Sequence, residues 1–152
     1  MYRTIAFALL ALAPSAALAQ VQTPAQAPAP AQAPACNGPD PAVVGAALKG
    51  VTPQGSLNHY NIAVTVTNSG TAAQGKDVLQ FVDVYLADEK LDAKGIPPLA
   101  PGQSYTFNYD YQRNVSAGNG STKLRFKLDM TQAPGPGGND CNLTNDEYVL
   151  TF

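Results

Sequence analysis

The chain has 152 residues, with nine basic and eleven acidic side chains and a net charge of −2. That length suits one ordinary domain plus an appendage, and the sparse, balanced charge excludes the basic footprint of nucleic-acid or anionic-membrane binding. Glu occurs only at positions 89 and 147, and 13 Gly and 13 Pro punctuate the sequence, a composition that disfavours long helices and suits strands joined by turns.

Residues 1–19, "MYRTIAFALLALAPSAALA", have one early positive charge (Arg3), a short apolar run from Ile5 to about Ala13, and a small-residue stretch ending Ala17-Leu18-Ala19. This is the pattern of a secretory signal peptide with an A-x-A cleavage site. The run is too short to span a bilayer, which takes about 20 apolar residues. The expectation is a secreted or periplasmic bacterial protein whose mature chain does not insert into a membrane. Residues 20–35, "QVQTPAQAPAPAQAPA", repeat Pro among Ala and Gln. Such a segment buries too little to offset its ordering entropy and reads as a disordered, partly extended spacer. The domain is expected over residues 36–152.

From there the period is two. "AVVGAALKGV" holds a first strand, weakened by two glycines, with Val44, Ala46 and Leu48 as candidate inward residues. In "YNIAVTVTNSG", Ile62, Val64 and Val66 share one face and Asn68-Ser69-Gly70 ends the strand. In "DVLQFVDVYLADE", Val82, Val84 and Leu86 face the core while Phe81, Asp83 and Tyr85 face away. Pro97, Pro98 and Pro101 forbid a central strand. Pro101-Gly102 suits the middle of a type II turn, and Leu99 is placed to plug the end of the core. The turn launches "SYTFNYDYQ", whose Tyr105, Phe107, Tyr109 and Tyr111 line one face. "STKLRFKLDM" alternates Leu124, Phe126 and Leu128 with Lys123, Arg125 and Lys127. "DEYVLTF" alternates Tyr148, Leu150 and Phe152 with Val149 and Thr151. Strands with one apolar and one polar face suit antiparallel sheets with one side wet, so the expected fold is an all-β antiparallel sandwich.

"VTVTNSG" at 64–70, "VYLAD" at 84–88, "LAPGQS" at 99–104, "LRFKLDM" at 124–130 and "CNLTND" at 141–146 together resemble the CARDB family, a cell-adhesion-related module of bacterial secreted proteins. The resemblance covers about residues 42–152. Leu143 departs from it, standing where that family often has Glu. The resemblance implies an immunoglobulin-like sandwich of about seven strands that serves as a binding or spacer module. In that topology Cys36, before the first strand, and Cys141, before the last, lie at the same pole. An exported chain with two cysteines is expected to pair them.

A search for chemistry finds little. His59 is the only histidine and reads as a solvated residue at a strand entrance, with no nucleophile–base pair and no set of zinc or copper ligands around it. No glycine-rich phosphate loop opens a helix, and "PGPGG" at 134–138 reads as a loop between strands. Asp129, Asp140, Asp146 and Glu147 flank the last loop and form the one oxygen-rich candidate for Ca²⁺. They lack EF-hand spacing, so ordinary solvated loop acids are the simpler reading. No cofactor is expected and the chain is read as non-enzymatic. The sequons at Asn114, Asn119 and Asn142 are coincidental in a bacterial exported chain.

The candidate binding residues are Phe81, Tyr85, Lys123, Arg125 and Lys127, brought together if "FVDVYL" and "KLRFKL" are neighbours with the last strand beyond. They would present a sheet face to an envelope or extracellular protein or glycan. The plainer alternative is that the basic side chains lie over the two aromatics. The competing function is a carbohydrate or small-ligand module that stacks on Tyr and Phe.

Overall fold

The computed structural model describes residues 37–118, 120–130 and 139–152. The leader, the proline-rich spacer, Cys36, Asn119 and the 134–138 loop lie outside the described residues. Seven strands are described: β1 Pro41–Gln54, β2 Leu57–Asn68, β3 Gln80–Leu86, β4 Glu89–Ile96, β5 Ser104–Asn114, β6 Lys123–Met130 and β7 Glu147–Thr151. They form two antiparallel sheets, ordered β1-β2-β5 and β4-β3-β6-β7. The chain crosses between sheets after β2, β4 and β5, so each sheet is built from segments far apart in sequence. The only helix among the described residues is one 3₁₀ turn at Val115–Ala117. The expected all-β, immunoglobulin-like sandwich is the fold observed.

The core lies where the inward ribbons of the two sheets meet. Ile62, Val64 and Val66 from β2 and Tyr109 and Tyr111 from β5 pack with Val82 and Val84 from β3 and Leu124, Phe126 and Leu128 from β6. The aromatic ribbon of β5 is mostly core. Tyr109 meets Phe126 edge-on at 6.3 Å, and Tyr60, Tyr111 and Phe152 cluster at centroid distances of 5.2–6.2 Å. Such tilted and T-shaped pairs add modestly to the area they bury.

The corner before β5 is built as its residues require. Gln103 N donates to Ala100 O at 2.9 Å, closing the turn around Pro101-Gly102, and Gly102 has φ +72°, the positive value a type II turn needs there. Leu99 is buried at the end of the core. A reciprocal amide pair, Gln74 with Gln80 at 2.8 and 3.0 Å, satisfies this corner from beneath. Gln80 Nε2 also donates to Pro97 O and Leu99 N donates to Gln74 Oε1.

Two expectations need correction. In β1 the inward residues are Val43 and Ala46, while Val44 is 51% and Leu48 36% exposed. Register shifts between Val43 and Gly45 and between Leu48 and Gly50 break the strict alternation, as an extra residue in a bulge must. β4 was not expected at all. Its "EKLDAKGI" has little β-propensity, and of its residues only Ile96 is buried. The ladder to β3 holds it as an edge strand, where charged side chains are at home.

Candidate outer sheet face and the loop beneath it

The β3, β6 and β7 registers bring the expected face together. Asp83 pairs with Lys127, Tyr85 with Arg125 and Phe81 with Asp129; across the next ladder Arg125 pairs with Val149, Lys123 with Thr151 and Lys127 with Glu147. All five candidate binding residues therefore lie on two adjacent strands of one sheet, with their side chains on its outer face.

Within that face most charges are already engaged. The Arg125 guanidinium carbon sits 4.3 Å from the centre of the Tyr85 ring, and its Nη1 donates to Glu147 Oε1 at 3.2 Å. Lys127 Nζ lies 3.6 Å from the same carboxylate oxygen. Asp83 is buried despite facing outward; Lys90 from β4 reaches it at 2.7 Å, and Tyr85 Oη donates to it at 3.3 Å. The hydrogen bond to Asp83 raises the Lys90 pKa. Tyr85 is thus covered by an arginine, as the plainer reading expected. Phe81 differs: it is 40% exposed and its ring edge approaches Gly95 of β4. Val149, 48% exposed, is the other apolar group of the face. Beside it a cleft of about 440 Å³ is lined by Leu86, Tyr111, Thr122, Lys123, Arg125 and Val149.

The four acids named as a calcium candidate do not converge. Glu147 belongs to the outer face, paired with Arg125 and Lys127, and Asp129 stands opposite Phe81. Asp140 and Asp146 do come together, and the sequence reading missed their neighbours Asp40 and Asn145. Asn145 Nδ2 donates to Asp40 Oδ1 at 2.9 Å across 105 positions of sequence. Burial, then contact with Asp140, then the charge of Asp40 push the Asp146 carboxyl up to about 8. Burial raises Asp140 as well. Among the described residues no three His, Cys, Asp or Glu side chains are gathered to hold a metal ion.

His59 stands near the start of β2, and its Nδ1 is 2.7 Å from Asp110 Oδ2 on β5. This pair borders a shallow pocket of about 250 Å³ with Asn61 and Asn108. Sequence could not pair them, because the contact is diagonal across a ladder between strands about 50 positions apart. Thr52 and Tyr109 line the same pocket, and the His59–Asp110 contact is a hydrogen bond at the sheet surface.

Residues 45–133, more than half of the chain, match the family described as CARDB, and the chain belongs to that family, whose members are non-catalytic, immunoglobulin-like modules. No curated protein matches, and no solved structure matches. Among the described residues no helix is long and apolar enough to cross a membrane.

Proposed function

We propose that this is an exported, non-enzymatic binding or adhesion module that presents the outer face of the β4-β3-β6-β7 sheet to an envelope or extracellular macromolecule. The observation that supports it most is the pairing of exposed Phe81 and Val149 with the Arg125, Lys127 and Glu147 charge network on one sheet face. Apolar anchors rimmed by charge are what partner surfaces use. The carbohydrate reading is second, because Arg125 already occupies the Tyr85 ring and leaves Phe81 as the one exposed aromatic of this face.

Crosslinking in the native envelope, followed by a pull-down with the purified chain, tests it. Phe81→Ala and Arg125→Ala should each cut retention of the partner by about tenfold, while Thr106→Ala on the other sheet should not. Retention unchanged by both face variants would remove the site. Binding of a soluble glycan lost with Phe81→Ala would favour the stacking alternative.

Export and the Cys36–Cys141 disulfide belong to the same proposal. Export is supported by the signal-like leader, and an exported protein should begin at Gln20 when its N-terminus is sequenced. Pairing is supported by the Cys141 amide, which donates to Pro39 O at 2.9 Å, three positions from Cys36. No described cysteine is a free thiol. Alkylation with and without reductant should differ by two thiols.

A further inference from the structure

Residues 139–146, ahead of β7, hold three buried side-chain oxygen atoms that lack a hydrogen-bond donor among the described residues. Asp140 is only 7% exposed, yet its Oδ2 has no hydrogen-bond partner, nor do the buried Asn145 Oδ1 and Asp146 Oδ1. The other ends of two of these side chains are fixed. Asp140 Oδ1 accepts from Asn142 N at 2.9 Å, and Asn145 Nδ2 is committed to Asp40. Rotating either group to rescue its orphan would break an existing bond. The Asp140 and Asp146 carboxylates are within hydrogen-bond contact of each other, and two ionised carboxylates have only acceptors to offer. Lys127, whose charge acts on Asp146, is 3.6 Å from Glu147 Oε1 instead. A buried carboxylate pair needs a shared proton or a bound cation between its members.

We propose that the 139–146 loop binds a hard divalent cation, Ca²⁺, between the carboxylates of Asp140 and Asp146, with the Asn145 side-chain carbonyl as a third protein oxygen. The donors are all oxygen, which selects Ca²⁺ or Mg²⁺ over zinc and copper. Two carboxylates take part, Asp40 being committed to Asn145. Water and backbone carbonyls complete the six to eight ligands that Ca²⁺ takes, which places the site in the weak class with dissociation constants of about 10⁻⁴–10⁻³ M. The consequence is mechanical. Asn145 is tied to Asp40, and the Cys141 amide to Pro39. A cation in the loop would therefore stiffen the point where the chain enters β1. This inference does not depend on the sheet-face reading.

Calorimetric titration of the purified chain with CaCl₂ at pH 8, paired with thermal unfolding in EGTA and in about 5 mM Ca²⁺, tests it. The expected result is one saturable site and a Tm that Ca²⁺ raises. Asp146→Asn supplies an N–H for Asp140 Oδ2, so it should fold, lose the titration heat, and unfold at the same temperature with or without Ca²⁺. Asp140→Asn serves the same purpose from the other side. No saturable heat up to about 10 mM with identical Tm in EGTA and Ca²⁺ would leave a shared proton as the occupant and overturn the proposal. Calcium binding that persists in both variants would place the ion elsewhere and overturn it equally.

Discussion

Asn68 has no exposed surface and all its hydrogen-bonding groups are occupied. Its Oδ1 accepts from Asp40 N and Gly70 N, both at 3.0 Å, and its Nδ2 donates to Ala72 O and Leu99 O, both at 2.9 Å. Its backbone bonds Gln103 and Gly102. One side chain thus joins the entry to β1, the loop after β2 and the corner before β5. Asn68→Ala should cost about 3 kcal/mol or more, because it strands buried backbone groups as well as removing bonds; urea unfolding measures it. Gly70→Ala should be at least as damaging, since a Cβ there would meet Gly38 O at 2.1 Å and Asp40 N at 2.6 Å. The Asp pair gives a pH signature. Folding raises both carboxyl pKa values, so between about 4 and about 8 the folded state holds more protons than the unfolded chain. The metal-free protein should therefore lose stability as pH rises through that window. Asp40 acts in the same sense on Asp146 and Lys127 in the opposite one. Asp146→Asn should flatten the Tm profile over this range; a wild-type Tm that climbs from pH 5 to pH 8 in EGTA would contradict the assignment.

At the scale of elements, the hairpins show how little sequence a strand needs once its neighbour is in place. β3 and β4 pair Leu86 with Glu89 across a two-residue turn, and Ala87 there has φ +53°. An L-residue with a Cβ is disfavoured in that region by about 1 kcal/mol or more. Ala87→Gly should therefore stabilise the domain by about 0.5 kcal/mol, part of the relief being offset by the added freedom of the unfolded glycine. A Tm that falls would mean Ala87 makes packing contacts that outweigh the backbone. The β1–β2 hairpin uses Gly55 at φ +60° in the corresponding position, as its "QGSL" stretch allows. β4 was illegible because its apolar side chains are few and only Ile96 is buried; backbone pairing with β3 outweighs its composition.

Across the whole molecule, the two poles of the sandwich are secured differently. One end closes on rings, with Tyr60, Tyr111 and Phe152 stacked beneath Arg113, whose guanidinium carbon is 5.6 Å from the Tyr60 ring. Arg113 also holds the Gly118 and Gly120 carbonyls at 2.6 Å. The other end, around Asn68, Asp40 and Cys141, closes on hydrogen bonds. The proposed disulfide would act here: closing a loop of about 105 residues should contribute roughly 4–5 kcal/mol through the unfolded state. Reduction should lower the urea midpoint accordingly while leaving the strand spectrum of the folded protein unchanged. Equal midpoints in oxidised and reduced samples would argue against the bridge.

The period-two ribbons determined the sandwich and the inward faces of β2, β3, β6 and β7, and the topology implied by the CARDB resemblance supplied the neighbour order that gathers Phe81, Tyr85, Arg125 and Lys127. Alternation encodes which side of a strand sheds water, and that information is local. Only the tertiary structure decided that Arg125 covers Tyr85, that bulges turn Val44 outward, and that Asp40 and Asn145 flank the Asp140–Asp146 pair. Those outcomes depend on ladder registers and on contacts between residues up to 105 positions apart. Partners so distant leave no periodic trace in the chain, because the hydrogen bonds and buried charges that select them exist only after the sheets have closed.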